Sequence, residues 1–251
     1  MNVTKSDTLS EIEFIDHGFF DRTGGNSVGN FESLNVGFGK GDDNQAVLQN
    51  REKIAQHFGL TLSDIVILQQ VHGDNVHIID SKNKKDYTFV DTKQDTVNEG
   101  DAIITNEKGV LIGVTTADCA PVLVCDKTQK YIAVIHAGWK GAVGAIIENT
   151  ISKMKSFGCR NMVAAIGPCV QKRYFEIKFD VAKYINSKYI YRNESKILFD
   201  MPLLIVDKLM TAGVKVVSKI SIDTTSNDNY FSCRRQGDSY GVQFSGLMIR
   251  K

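Results

Sequence analysis

The chain has 251 residues and carries 30 Lys and Arg against 29 Asp and Glu, a formal net charge of +1. That balance excludes a protein that holds nucleic acid on a broadly basic surface, because phosphate neutralisation supplies most of such affinity. Hydrophobic residues at 42% and charged residues at 24% exclude a disordered or fibrous chain and are sufficient for a large buried core.

In chain order, residues 1–10 are polar, with no apolar stretch of the kind a secretory leader carries. Residues 14–20 read as a strand, and the Gly-rich segment 24–41 reads as loops. Asp42 or Asp43 is placed to cap a helix over 44–58, where Val47, Ile54, Ala55 and Phe58 share one face and Gly59 follows. Residues 65–70 and 75–80 are expected as strands joined through Val71, His72 and Gly73. The polar stretch 81–99 is expected as an exposed excursion. Residues 110–114, 122–125, 131–136 and 162–166 are short apolar runs rich in Val and Ile, the pattern of strands buried on both faces. A helix is expected from the glycines after His136 to about residue 157, others over 182–189 and 202–212, and strands near 214–222 and 241–249. No linker or internal repeat divides the chain. The expectation is a single α/β domain, 1–251, with a mixed sheet flanked by helices.

The five cysteines, at 119, 125, 159, 169 and 233, are an odd number and too sparse for a disulfide scaffold. No uncharged apolar run reaches the roughly 18 residues of a membrane span. A reduced, cytoplasmic protein that does not engage membranes is expected. There a cysteine is free to be a buried hydrophobe, a nucleophile or a metal ligand.

Three strand ends carry chemistry: Gln70-Val71-His72-Gly73, Asp118-Cys119 between two strands, and His136, where a strand runs into Gly138. Imidazole and thiolate both donate well to zinc, and three protein ligands would leave a fourth position open for water, as in catalytic sites. The spacings of 47 and 17 residues are not those of a zinc finger, so the bland readings stand beside this one: His72 as a structural histidine and Cys119 as an inert thiol. Cys125 reads as core. The glycines match neither a dinucleotide fingerprint nor a P-loop. Arg22, Arg51, Arg234 and Arg235 lie in or beside polar loops, suited to a phosphate or carboxylate or else simply solvated.

Taken together, QVHGDNV (70–76), TTADCAPVLVCD (115–126), HAGWKG (136–141) and AAIGPCV (164–170), with RTGGNS (22–27), the Asn50-Arg51 pair and FSCRR (231–235), resemble the laccase-domain family. Its members were once labelled polyphenol or multicopper oxidases and are now regarded as purine nucleoside phosphorylases with adenosine deaminase activity. The resemblance implies one zinc held by His72, Cys119 and His136, phosphate as co-substrate, and adenosine, inosine and methylthioadenosine as substrates. It makes Asp118 a candidate proton shuttle, Arg51 the first candidate phosphate ligand, and Arg22 and Arg234 the next. The chain departs from the family where Cys233 replaces an aromatic residue and Val242 replaces an arginine.

A copper oxidase is disfavoured because the chain has five histidines, at 17, 57, 72, 77 and 136, and no His-x-His pair. The stronger alternative is a cysteine hydrolase or amidase, including one that edits peptidoglycan precursors, with Cys119 as nucleophile and His136 as base. It draws on an analogy of fold with bacterial toxin deamidases. A zinc-stabilised binding module is the third class.

Overall fold

The computed structural model describes residues 1–87, 98–193 and 196–251. Two mixed sheets lie face to face between layers of helix. The five-stranded sheet has the order Val3–Thr4, Ile15–Phe20, Gln243–Ile249, Leu111–Thr116, Ile65–Ile67, and the six-stranded sheet the order Val216–Lys219, Met162–Ile166, Ala120–Asp126, Ile132–Ala137, Ala102–Thr105, Val76–Ile79. A small antiparallel sheet joins Glu176–Ile177, Lys196–Phe199 and Ile190–Asn193. The α/β class is as the sequence predicts, with the expected sheet divided into two.

The double-sided apolar strands explain that division. Along Ala120–Asp126, Val122 and Val124 face a helical layer, whereas Leu123 and Cys125 face the other sheet. Side chains alternate with period two, so a strand covered on both sides needs apolar residues at every position. The layer between the sheets holds Phe19, Ile112, Leu123, Val134 and Leu247. Outside the six-stranded sheet lie the helices Ile146–Ser156 and Met201–Thr211, and outside the five-stranded sheet lies Asn44–His57. That last helix is capped by Asp43, whose side chain accepts from the Gln45 N–H at 3.1 Å.

Several elements differ from expectation. The strands on either side of His72 belong to different sheets, so residues 68–75 form a crossover between the layers. The helix expected over 182–189 is replaced by Phe179–Ala182 and a 3-10 turn, Ser187–Tyr189, which Asn186 caps by accepting from the Lys188 N–H. The helix after Gly138 is two, Trp139–Val143 and Ile146–Ser156, parted at Gly144. Ala102–Thr105 is a strand the periodicity did not reveal, being four residues long. Of the excursion expected over 81–99, residues 88–97 lie outside the described residues. Among the described residues no helix is long and apolar enough to cross a membrane.

Candidate metal centre and pocket

Two crossovers between the sheets meet at one end of the sandwich. The first carries His72; the second, residues 117–119, leads from Leu111–Thr116 into Ala120–Asp126 and carries Cys119. His136 sits near the end of the neighbouring strand, its Cα paired with Pro121. Both crossovers turn through left-handed backbone, His72 at φ 60° and Asp118 at φ 87°. A non-glycine residue holds that conformation only where its surroundings impose it.

The donor atoms of His72, Cys119 and His136 all lie within 4.8 Å of one another. Cys119 Sγ is 3.7 Å from His72 Nε2, and the two imidazoles meet edge to face at 4.8 Å between centroids. Zinc bond lengths of about 2.0–2.3 Å place neighbouring tetrahedral ligands roughly 3.3–3.8 Å apart, so the residues fit one such ion with small side-chain adjustments. Gly138 is part of the seat: a Cβ there would stand 2.6 Å from the His72 ring and 3.2 Å from Cys119 Sγ. Its own backbone, φ −69° and ψ 163°, suits any residue. Gly138→Ala is therefore expected to fold normally while displacing the exposed His72 ring, weakening metal affinity by about 10- to 100-fold, the scale seen when supports of metal ligands are lost; a competition titration with a chelating dye measures it.

Electrostatics couple the same groups. Burial opposes charge on both Cys119 and His136, but their mutual contact outweighs it. With no metal bound, His136 and His72 bring the Cys119 thiol down to about 6, whereas Cys119 and Asp101 lift the His136 imidazole to about 9. Cys125, between the sheets, is pushed up by burial and then by Asp126 to about 12, which makes it an inert core thiol.

A cavity of about 230 Å³ opens beside Cys119 and His72, walled by Trp139, Phe175, Met201 and Tyr240 and edged by Asp118, Cys233 and Arg234. Larger clefts, about 360 Å³ beside Glu148 and Lys208 and about 470 Å³ beside Asp74 and Lys153, contain no comparable ligand group among the described residues.

The remaining expected site residues separate. Asp118 is buried, and its carboxylate accepts from Thr224 Oγ1 at 2.8 Å, Ser232 Oγ at 3.0 Å and the Arg234 N–H at 2.8 Å. The Arg234 guanidinium donates to the Glu176 carbonyl at 3.0 Å and lies 4.3 Å over the Phe175 ring, at the cavity edge. Arg51 does not line the cavity; it donates to the Val36 carbonyl and lies over Phe38. Arg22 is likewise outside, donating to the Glu32 carbonyl and stacked 4.5 Å over Phe231. Arg235 donates to the carbonyls of Thr224, Thr225, Asn227 and Tyr230. Val242 is buried against Gly37.

Sequence reading missed Asp101, Trp139, Phe175 and Tyr240. Trp139 had a usable signal, its place within HAGWKG. Asp101 had none: it precedes a short strand and acquires its partners only through pairing of distant segments.

Fold and site together define a two-sheet α/β protein with a His, Cys, His group at the edge of an aromatic-walled cavity. Residues 16–250 match the family described as multi-copper polyphenol oxidoreductase laccase, and the chain belongs to that family. It is 32% identical over 237 residues to a purine nucleoside phosphorylase of Rickettsia prowazekii, covering 89% of each chain, and 32% identical over 268 residues to one of Bacteroides thetaiotaomicron, covering 98% and 95%. An adenosine deaminase from an unknown prokaryotic organism is 30% identical over 220 residues, covering 82% and 83%. Among solved structures, the Bacillus licheniformis hypothetical protein YfiH superposes with a TM-score of 0.88 at 25% identity, covering 94% and 93%.

Proposed function

We propose that the protein is a zinc-dependent purine nucleoside phosphorylase acting on adenosine, inosine and methylthioadenosine, with adenosine deaminase activity. The observation that carries this reading is the convergence of His72, Cys119 and His136 beneath an aromatic-walled cavity. The names of its relatives supply the nucleoside chemistry.

Zinc, when bound, supplies Lewis acidity and makes water acidic enough to act near neutral pH. The chain's own residues do the rest. Trp139, Phe175 and Tyr240 offer flat apolar surface for a purine, and burying the base against them shields it from bulk water. We assign Arg234, a cation at the cavity edge held by the Glu176 carbonyl and the Phe175 ring, to binding the phosphate that attacks C1′ as the purine leaves. We assign Asp118 to holding the short helix Cys233–Gln236, on which Cys233 and Arg234 stand, because its oxygens are already occupied by donors. Arg51 and Arg22 are assigned to bracing the Val36 and Glu32 segments.

Metal analysis and chromatography of adenosine, incubated with and without phosphate, test this. About one zinc per chain is expected, with adenine formed only in the presence of phosphate and inosine formed in either case; absence of both zinc and turnover overturns it. A second reading, the cysteine hydrolase, is favoured by one specific observation: Cys119, lowered to about 6, contacts His136, whose Nδ1 is 2.7 Å from Asp101. An amidase activity lost in Cys119→Ala yet untouched by a chelator would establish it in place of the first.

A further inference from the structure

Both metal-ligand histidines lead to one carboxylate. Asp101 stands just before Ala102–Thr105 with its side chain fully buried. Its Oδ1 accepts from His136 Nδ1 at 2.7 Å and from the His72 N–H at 3.0 Å. Its Oδ2 accepts from the Gly73 N–H at 2.7 Å and the Val71 N–H at 3.3 Å. Its backbone carbonyl also accepts the His136 N–H, at 2.7 Å.

Three consecutive amides can converge on one anion only where the chain curls into a nest, and the left-handed φ of 60° at His72 provides that curl. The same carboxylate determines the other histidine's tautomer. An ionised oxygen can only accept, so Nδ1 carries a proton and the Nε2 lone pair is left for the side where Cys119 and His72 stand.

Resting on the metal-site reading above, we propose that Asp101 is the positioning residue of this centre, fixing through one buried carboxylate both where His72 stands and which ring nitrogen His136 presents. Asp101→Asn separates this role from space filling, since it keeps the volume and removes one acceptor. With its NH2 in the place of Oδ2, the amide meets the Val71 and Gly73 N–H groups donor to donor. With its NH2 in the place of Oδ1, it meets the His72 N–H and turns His136 Nδ1 into an acceptor, so that the proton moves to the nitrogen the metal needs. Neither orientation serves both histidines.

The test uses the zinc-loaded full chain. Zinc competition against a chelating dye is expected to show affinity reduced by about 10- to 100-fold in Asp101→Asn. Nitrogen-15 NMR of the wild-type histidine rings is expected to show His136 coordinated through Nε2 with a slowly exchanging Nδ1 proton, and that proton signal is expected to be lost or strongly shifted in the variant. Wild-type affinity with an unchanged Nδ1 signal in Asp101→Asn overturns the proposal. Should the variant not fold, a wild-type His136 coordinated through Nδ1, or carrying no protected Nδ1 proton, overturns it equally. Neither readout involves nucleoside turnover, so failure of the nucleoside reading appears in the adenosine assay alone.

Discussion

Cys119→Ala is expected to remove the bound zinc and to lower nucleoside turnover by at least about 100-fold, because loss of even an outer partner of a metal ligand typically costs 10- to 100-fold. The thiolate is the one anionic donor of the three, and its Sγ stands 3.7 Å from His72 Nε2 and also contacts His136. With the sulfur gone, two neutral imidazoles remain, a set that holds zinc far more weakly. The fold should persist, since Cys119 is only half-buried and the sheet-to-sheet turn is held by the hydrogen bonds of Asp118. Metal analysis of the purified variant, with its thermal midpoint compared in the presence of a chelator, is the measurement. Retention of stoichiometric zinc would remove Cys119 from the site.

Asp118→Ala should act on stability instead. The carboxylate is buried and serves Thr224 Oγ1, Ser232 Oγ and the Arg234 N–H, joining the second crossover to two C-terminal loops. Removing it leaves those donors without an acceptor, at about 1–3 kcal/mol each. The left-handed backbone at φ 87° adds little to this, because Asp118 already carries a Cβ there. The three lost hydrogen bonds predict a loss of about 3–9 kcal/mol, read as a lower urea midpoint with an unchanged slope. Asp118→Asn keeps one oxygen and tolerates the left-handed turn, so its cost should be smaller and its kcat close to wild type. If Asp118→Asn instead lowered kcat a hundredfold or more with stability unchanged, Asp118 would be the proton shuttle that its position beside Cys119 suggests from sequence.

The histidines and arginines show where sequence legibility ends. His72, Cys119 and His136 stand out because each follows or precedes an apolar run, and a side chain at a strand end is anchored by a rigid element whatever the rest of the fold does. Arg51 stands out differently, as a cation in or beside polar loops within the family resemblance, and in the folded chain it lies in the helix Asn44–His57 with its guanidinium on the Val36 carbonyl and the Phe38 ring. A guanidinium satisfies itself with whatever acceptors its neighbours expose, and sequence position does not say which those are. Likewise, the helical spacing over 182–189 does not reveal that Asn186 spends its side chain capping the 3-10 turn Ser187–Tyr189.

What the sequence by itself determined is the α/β class, the doubly buried strands, the capped helix at Asn44–His57, and three residues with the right donor atoms for one metal. Apolar periodicity and donor chemistry are local properties, readable without coordinates. Only the tertiary structure decided that the strands divide into two facing sheets, that the chain crosses between them at His72 and again at Cys119, and that Asp101 binds the first crossover to His136. Those facts depend on contacts between segments about 30 or more residues apart, set by how two twisted sheets pack, and no local pattern encodes them.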